Sequence, residues 1–246
     1  MMLEGEQLDD LWRGGLQILQ KKDGFKYGID SVLLAHFVPC RKHQSVLDIG
    51  TGSGIIPILL NGLEPSLSIT GIDIQSDYVD MAKRSVEHNQ QANITILEGD
   101  ARRLDQIFAR DSFDVVVTNP PYYNKALVAQ RPDKAIARSE IHLTLAELIE
   151  QASFVLKPKG QFCLIYHPGR LGELMSLLHQ HRLEVKQLRF IHPGEGREAN
   201  LVLLRASKGG GREVRILPPL FVYRNGTYTE ELLRIYDEIR IEKERA

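Results

Sequence analysis

Ser45-Val46-Leu47-Asp48-Ile49-Gly50-Thr51-Gly52-Ser53-Gly54 decides how this chain folds. Its first five residues form an apolar run of strand length. Three alternating glycines then precede a second apolar run, Ile55 to Leu60. A strand, a turn built of residues without Cβ atoms and a helix, in that order, open a parallel α/β sheet. Pro57 falls in the first helical turn, where its missing N–H costs nothing.

The pattern repeats outward from that unit. Residues 68–74 read as a second strand, and Ser76 is expected to cap a helix carrying Tyr78, Val79, Ala82 and Val86 at helical spacing. Residues 94–100 and the run Phe113-Asp114-Val115-Val116-Val117-Thr118 supply strands three and four. Thr144-Leu145-Ala146-Glu147 is a capping box. It opens a helix with Leu145, Leu148, Ile149, Ala152, Val155 and Leu156 on one face, stopped by Pro158 and Gly160. A fifth strand follows at 161–166. Strands at 183–191 and 200–206 are joined by His192-Pro193-Gly194-Glu195-Gly196, a link short enough for an antiparallel hairpin but not for a parallel crossover. The expected fold is α/β and Rossmann-like: a doubly wound, mostly parallel seven-stranded sheet with an antiparallel strand near the end. Residues 1–44 read as an N-terminal extension, a hairpin-like segment and a helix packed on the core at 45–207. Residues 208–246 form a C-terminal appendage after Lys208-Gly209-Gly210-Gly211-Arg212, ending in a helix with Leu232, Ile235, Tyr236 and Ile239 on one stripe.

Composition narrows the class. At 246 residues and 43% hydrophobic, the chain can bury the core of one large α/β domain. No apolar run reaches membrane-spanning length, and the acidic start, Met1-Met2-Leu3-Glu4-Gly5-Glu6, lacks the order of a signal peptide. Two distant cysteines, Cys40 and Cys163, make no disulfide framework, so a cytoplasmic location is expected. The eight histidines show no metal-ligand spacing, so no metal is expected. A net charge of −1 does not advertise nucleic-acid binding, although a local basic face would suffice for it.

Ligands of such sheets bind beyond the carboxyl ends of the strands. Gly50, Gly52 and Gly54 let the backbone approach a ligand closely. Asp73, about 20 residues past the first glycine, is placed to accept from ribose hydroxyls. Those features alone fit either NAD or S-adenosyl-L-methionine. Asp48, just before the glycines, would attract a cationic amino-acid tail and repel a pyrophosphate. Asp100, ending the third strand, is placed to accept from an adenine amino group. Three carboxylates on three successive strand ends favour S-adenosyl-L-methionine.

The second informative stretch is Asn119-Pro120-Pro121-Tyr122, directly after the fourth strand. An amide followed by two prolines, which carry no N–H, presents acceptors beside an aromatic ring. That suits holding a planar, weakly nucleophilic NH2 group while a group is transferred to it. The Asn119 side-chain oxygen and the Pro120 carbonyl would each accept one N–H, with the Tyr122 ring beside the planar group. The following loop carries Lys125, Arg131, Lys134 and Arg138, and the turn bearing Arg197 should emerge on the same edge. These five are the expected phosphate-contacting rim. Near the start, Asp30 reads as a cap for a helix over residues 31–37 or, with Tyr27, as a contact to the methionine end of the cofactor.

The run from Val46 to Tyr122 resembles class I S-adenosylmethionine-dependent methyltransferases, and its Asn-Pro-Pro-Tyr is similar to the subset that methylates NH2 groups. Gly24 to Phe37, Ala137-Arg138-Ser139-Glu140 and Pro218-Pro219-Leu220 resemble, more narrowly, the bacterial tRNA adenine-N6 methyltransferases that act beside the anticodon of a valine tRNA. The resemblance implies cofactor contacts from Asp48, Gly50, Thr51, Gly52, Gly54, Asp73, Ile74, Asp100 and Ala101. It implies a catalytic role for Asn119 to Tyr122, a tRNA substrate, and neither a membrane nor an obligate protein partner. A protein-glutamine methyltransferase acting on a release factor would use the same acceptor shelf; that family carries a helical domain ahead of the fold, whereas only about 45 residues precede the first strand here, which makes it the runner-up. A DNA adenine methyltransferase would need a target-recognition insertion. A silent RNA-binding protein has no use for an intact Asn119, and hydride transfer to NAD has none for the whole motif.

Overall fold

The computed structural model describes residues 2–11, 15–23, 28–120 and 143–241, with side chains as far as 236. Strands are β1 Glu6–Asp10, β2 Gln17–Lys21, β3 Ser45–Ile49, β4 Ser68–Asp73, β5 Ile94–Glu98, β6 Phe113–Thr118, β7 Leu156–Tyr166, β8 Leu183–Gly194, β9 Leu201–Lys208, β10 Arg215–Ile216, β11 Leu220–Arg224 and β12 Thr227–Tyr228. Helices are α1 Ile29–Phe37, α2 Ile55–Leu63, α3 Ser76–His88, the single turn α4 Leu104–Ile107, α5 Leu145–Val155, α6 Leu171–Gln180 and α7 Glu230–Ile241. None of the described helices is long and apolar enough to cross a membrane.

The main sheet runs β12-β11-β8-β9-β7-β6-β3-β4-β5, with β10 also on β8. Strands β3 to β7 are parallel, and β9 runs antiparallel between β7 and β8. Alternate residues of each strand serve opposite faces, as the pleat requires. Val46, Ile69, Val115, Val117, Cys163 and Ile165 pack with α1, α2, α3 and α7. Leu47, Ile49, Ile72, Val116, Phe162 and Leu164 pack with α5 and α6. Burial on both faces is why the central strands read as unbroken apolar runs.

The Rossmann-like architecture matches the expectation, with three local differences. Among the described residues the main sheet has ten strands, not seven, because β10, β11 and β12 all come from the stretch after the glycine linker. β11 lies parallel beside β8 (Leu220 opposite Ile191), so this segment enlarges the sheet rather than hanging from it. The α3 cap is Gln75, without a side-chain hydrogen bond, and Ser76 is the first helical residue. Leu156 leaves helix α5 to begin β7, five residues earlier than expected. The capping box itself is complete: the Thr144 hydroxyl accepts from Glu147 N, and the Glu147 carboxylate accepts from Thr144 N at 2.8 Å.

The N-terminal hairpin is attached by helix side chains. β2 pairs with β1 along one edge. Along the other, Gln17 N donates to Asn89 Oδ1 at 3.0 Å, Asn89 Nδ2 donates to Gln17 O at 2.6 Å, and Leu19 N donates to Ser85 Oγ at 3.0 Å. Arg84 adds a bidentate pair to Glu6, with contacts of 2.7 and 2.5 Å. Asn89→Ala strands both backbone groups of Gln17, and we expect it to cost about 1–3 kcal/mol. Urea unfolding measures this, and a loss below about 0.5 kcal/mol would show that the hairpin is held by its apolar residues alone.

Candidate functional site

The strand order reverses between β3 and β6, where β3, β4 and β5 run to one side and β6 and β7 to the other. Ile49 pairs with Thr118 at the carboxyl end, and the buried Thr118 hydroxyl donates to Ile49 O at 2.9 Å. The next residues on the two strands are Gly50 and Asn119. The glycine turn and the amide therefore leave the sheet side by side, at the crevice where ligands of such sheets bind.

Gly50, Gly52 and Gly54 all have positive φ (72°, 54° and 87°), a region closed to most side chains. A Cβ on Gly50 or Gly52 would meet nothing within 4 Å among the described residues, so neither backbone is covered by them. The turn is anchored from below. Gly50 N and Thr51 N both donate to Ile72 O, at 2.9 and 3.0 Å. The Thr51 side chain is buried beneath the turn rather than presented to the crevice.

The three expected carboxylates differ in what already holds them. Asp73 Oδ2 accepts from Gly52 N and its Oδ1 from Gln75 N, both at 2.9 Å, so it ties the turn to the exit of β4. Asp100 accepts from Arg102 N at 2.9 Å and from the Arg102 guanidinium at 2.6–3.0 Å, contacts that hold its carboxyl below the usual range. An adenine amino group reaching Asp100 would have to share it with Arg102. Asp48 is 0% exposed, and neither oxygen has a hydrogen-bond partner among the described residues. Burial pushes its carboxyl up to about 7. The nearby Thr51 hydroxyl, not in hydrogen-bonding geometry, pulls the other way, and the charge of Asp73 adds to the rise.

The remaining expected residues divide by location. Ile74 follows Asp73 and is 49% exposed, an apolar surface on the carboxyl edge, and Ala101 opens the short turn after Asp100. Arg197 is exposed on the β8–β9 turn. Because β8 runs parallel to β7, that turn lies on the same carboxyl edge. Asp30 lies inside the first turn of α1, whose cap is Gly28, and not at the cap position. Its Oδ2 accepts from Asn119 Nδ2 at 3.1 Å, and Ser31 Oγ accepts from the same nitrogen at 3.0 Å. Ser31 had no expected role, and no local pattern could reveal one, since its partner is 88 residues away. Tyr27, Pro121, Tyr122, Lys125, Arg131, Lys134 and Arg138 lie outside the described residues.

Residues 41–205 match the family model described as "Methyltransferase domain". A protein of Proteus mirabilis named tRNA1(Val) (adenine(37)-N6)-methyltransferase is 31% identical over 167 residues. That alignment covers 67% of this chain and 66% of the relative, just under two-thirds. The protein of the same name in Aeromonas salmonicida is 29% identical over 189 residues, covering 76% of this chain and 78% of its own length. A crystal structure described as a predicted O-methyltransferase from Agrobacterium tumefaciens shares the fold, with a TM-score of 0.71 at 22% identity over 85% of this chain and 96% of that one.

Asp48 makes stability depend on pH. Its proton is held more tightly in the folded state than in the unfolded chain, where a carboxyl titrates near ~4. Its contribution is therefore full below that value and is lost as pH rises toward about 7, by an amount on the order of a few kcal/mol. Asp48→Asn should remove this loss. In urea unfolding, the difference between variant and parent should grow from pH 4 to pH 7 and then level off, whereas a constant difference would mean that Asp48 is ionised throughout.

Proposed function

The chain belongs to the methyltransferase domain family, and we propose that it transfers the methyl group of S-adenosyl-L-methionine to the N6 amino group of an adenine in tRNA, beside the anticodon of a valine tRNA. The observation that carries this reading is the register of β3 against β6, which sets the glycine turn beside Asn119 and Pro120. The names of the Proteus and Aeromonas relatives support the substrate.

The residues present suit the cofactor. Asp48 is a buried carboxylate in need of a cation, and the α-ammonium of the methionine tail supplies one. Gly50 and Gly52 leave space for close approach, Asp73 keeps lone pairs for ribose hydroxyls, and Ile74 offers an apolar face to the adenine ring. Gly54, Thr51, Asp100 and Ala101 complete the surrounding frame. When bound, the cofactor supplies an electrophilic methyl group on a sulfonium.

The protein's task is to prepare the nucleophile. The lone pair of an adenine amino group is delocalised into the ring. Acceptance of its two N–H groups by Asn119 Oδ1 and the Pro120 carbonyl concentrates that lone pair on nitrogen and aims it into the crevice. With the cofactor bound, this amine would take its methyl group in line, the N–C bond forming as the C–S bond breaks, and would then release its proton to water. Positioning and electrostatics do the work, with no covalent enzyme intermediate. By their place in the motif, Pro121 and Tyr122 are assigned to binding the base. An unpaired loop adenine loses about a few kcal/mol of stacking on entering such a site.

Methyl transfer from labelled cofactor to bulk tRNA, DNA and a release-factor protein tests the assignment. The expected product is N6-methyladenosine in tRNA. Asn119→Ala should lower the rate about 10²-fold or more, with S-adenosylhomocysteine affinity held within about twofold. Label on protein glutamine, or none on tRNA, overturns the reading.

The ion pair to Asp48 adds a pH signature. Only the ionised carboxylate attracts the ammonium, so S-adenosylhomocysteine affinity should rise about tenfold between pH 6 and pH 8, through the Asp48 value of about 7. Calorimetry should show proton release on binding, and Asp48→Asn should flatten the curve. An unchanged curve in the variant would remove Asp48 from the cofactor site.

The RNA-facing rim is assigned to Lys125, Arg131, Lys134, Arg138 and Arg197. Replacing all five by Ala should weaken tRNA binding and reduce the slope of log affinity against log salt by as much as about 0.7–0.9 per lost contact. An unaltered slope would place the RNA elsewhere.

A further inference from the structure

A side-chain amide is close to symmetric in shape, but its two ends have opposite hydrogen-bonding roles. If Asn119 is to accept a proton from the substrate amine, its oxygen must face the crevice. Turned by 180°, it would offer a donor to a donor.

The structure contains a device that chooses between the two orientations. Asn119 Nδ2 lies 3.1 Å from Asp30 Oδ2 and 3.0 Å from Ser31 Oγ. A carboxylate accepts and does not donate, so only the NH2 end of Asn119 can face Asp30. The oxygen of the same planar group then points away from α1. The clamp is itself braced. Asp30 Oδ1 accepts from Ser31 N at 2.9 Å, and Ser31 is 5% exposed in the first turn of the helix. A Cβ at Gly28 would lie 2.6 Å from Asp30 Oδ1, so glycine there is what lets the carboxylate fold back over the helix start. The backbone at Gly28 is ordinary, with φ −104°. Its small size, not its flexibility, is the property used.

We propose that Asp30 and Ser31 are positioning residues that lock the Asn119 amide with its oxygen toward the acceptor amine, an inference that rests on the methyl-transfer reading above. They do not touch the reacting atoms. Asp30 thereby serves the substrate side of the site, where the sequence suggested a contact to the methionine tail. An amide at position 30 can donate as well as accept, so Asp30→Asn frees Asn119 to populate both orientations.

The test has a kinetic arm and a spectroscopic arm. Asp30→Asn should lower kcat about tenfold or more, with KM for tRNA and S-adenosylhomocysteine affinity each within about twofold. Ser31→Ala should lower kcat about threefold. Asn119→Asp alone places two carboxylates side by side and should cost about 100-fold or more. Adding Asp30→Asn to it should recover at least tenfold, because the introduced amide can donate to the introduced carboxylate and restore an outward-facing acceptor oxygen. In the parent protein, the Asn119 side-chain 15N–1H2 pair should exchange slowly with solvent and show two separate proton shifts. Asp30→Asn should speed that exchange markedly.

Three results would overturn the proposal in variants whose melting temperatures stay within a few degrees of the parent. They are an unchanged kcat in Asp30→Asn, a cofactor affinity loss above fivefold with kcat retained, or a double variant no better than Asn119→Asp alone. The amide spectrum decides the lock even if the parent methylates no adenine. In that event the substrate reading fails separately, and a fast-exchanging Asn119 amide in the parent would end the positioning proposal too.

Discussion

The parallel pairing of β3 with β6, closed at its carboxyl end by the Thr118 hydroxyl on the Ile49 carbonyl, is the contact on which the site depends. Those strands are 69 residues apart in sequence at that bond, yet their ends must match to within one residue. A slip of one position would turn every side chain of β6 to the other face and exchange the two cores. Both strands are buried on both sides, so the apolar pattern alone does not punish such a slip strongly. The Thr118–Ile49 bond adds a polar constraint at the end where register matters, since a hydroxyl buried there without a partner is costly. Amide and glycine turn then share an edge because their strands share a register.

The same edge gathers three aspartates, and their differences are informative. A carboxylate that already accepts several good hydrogen bonds has been solvated by the protein, and the fold depends on it. Asp73 closes the glycine turn through Gly52 N and Gln75 N, and Asp100 is wrapped by Arg102. Asp48 has neither kind of support among the described residues. The burial that raises its proton affinity also strengthens any cation that reaches it, because attraction grows as the dielectric falls. The three positions look equivalent in sequence, but Asp73 is tied into the glycine turn, Asp100 is tied to Arg102, and Asp48 has no hydrogen-bond partner among the described residues.

Legibility in the sequence followed the range of the interaction. Strands 45–49 and 113–118 were visible because two-faced burial forces continuous apolar runs, and the Thr144–Glu147 capping box was visible because both partners lie within one turn. The β8–β9 hairpin followed from the shortness of its link. Strands β10 and β12, of two residues each, carry no local pattern, and β11 is recruited by an edge of β8 far earlier in the chain, so the sheet is three strands larger than its sequence pattern indicates. Ser76 has the chemistry of a cap, but the helix begins one residue before the position that would use it. In the site, the glycines and Asn119 could be located by type and spacing. The partners of Asn119 could not, because a hydrogen bond across 88 or 89 residues leaves no periodicity behind.

Helix α1 reaches Asn119 although it precedes the first core strand. Ser31, Val32, Leu33, Leu34 and Ala35 are all buried, so the helix is seated by packing against the face of the sheet that also receives Val115 and Val117 of β6. Packing of this kind fixes the position of the helix start to within the tolerance of close-packed side chains. It fixes the carboxylate of Asp30 and the hydroxyl of Ser31 with it. An amide on a strand end, held by two groups on an independently packed helix, is oriented by rigid elements on both sides and does not depend on a loop to face the right way. The cost of turning it falls on the buried polar groups that would lose their partner.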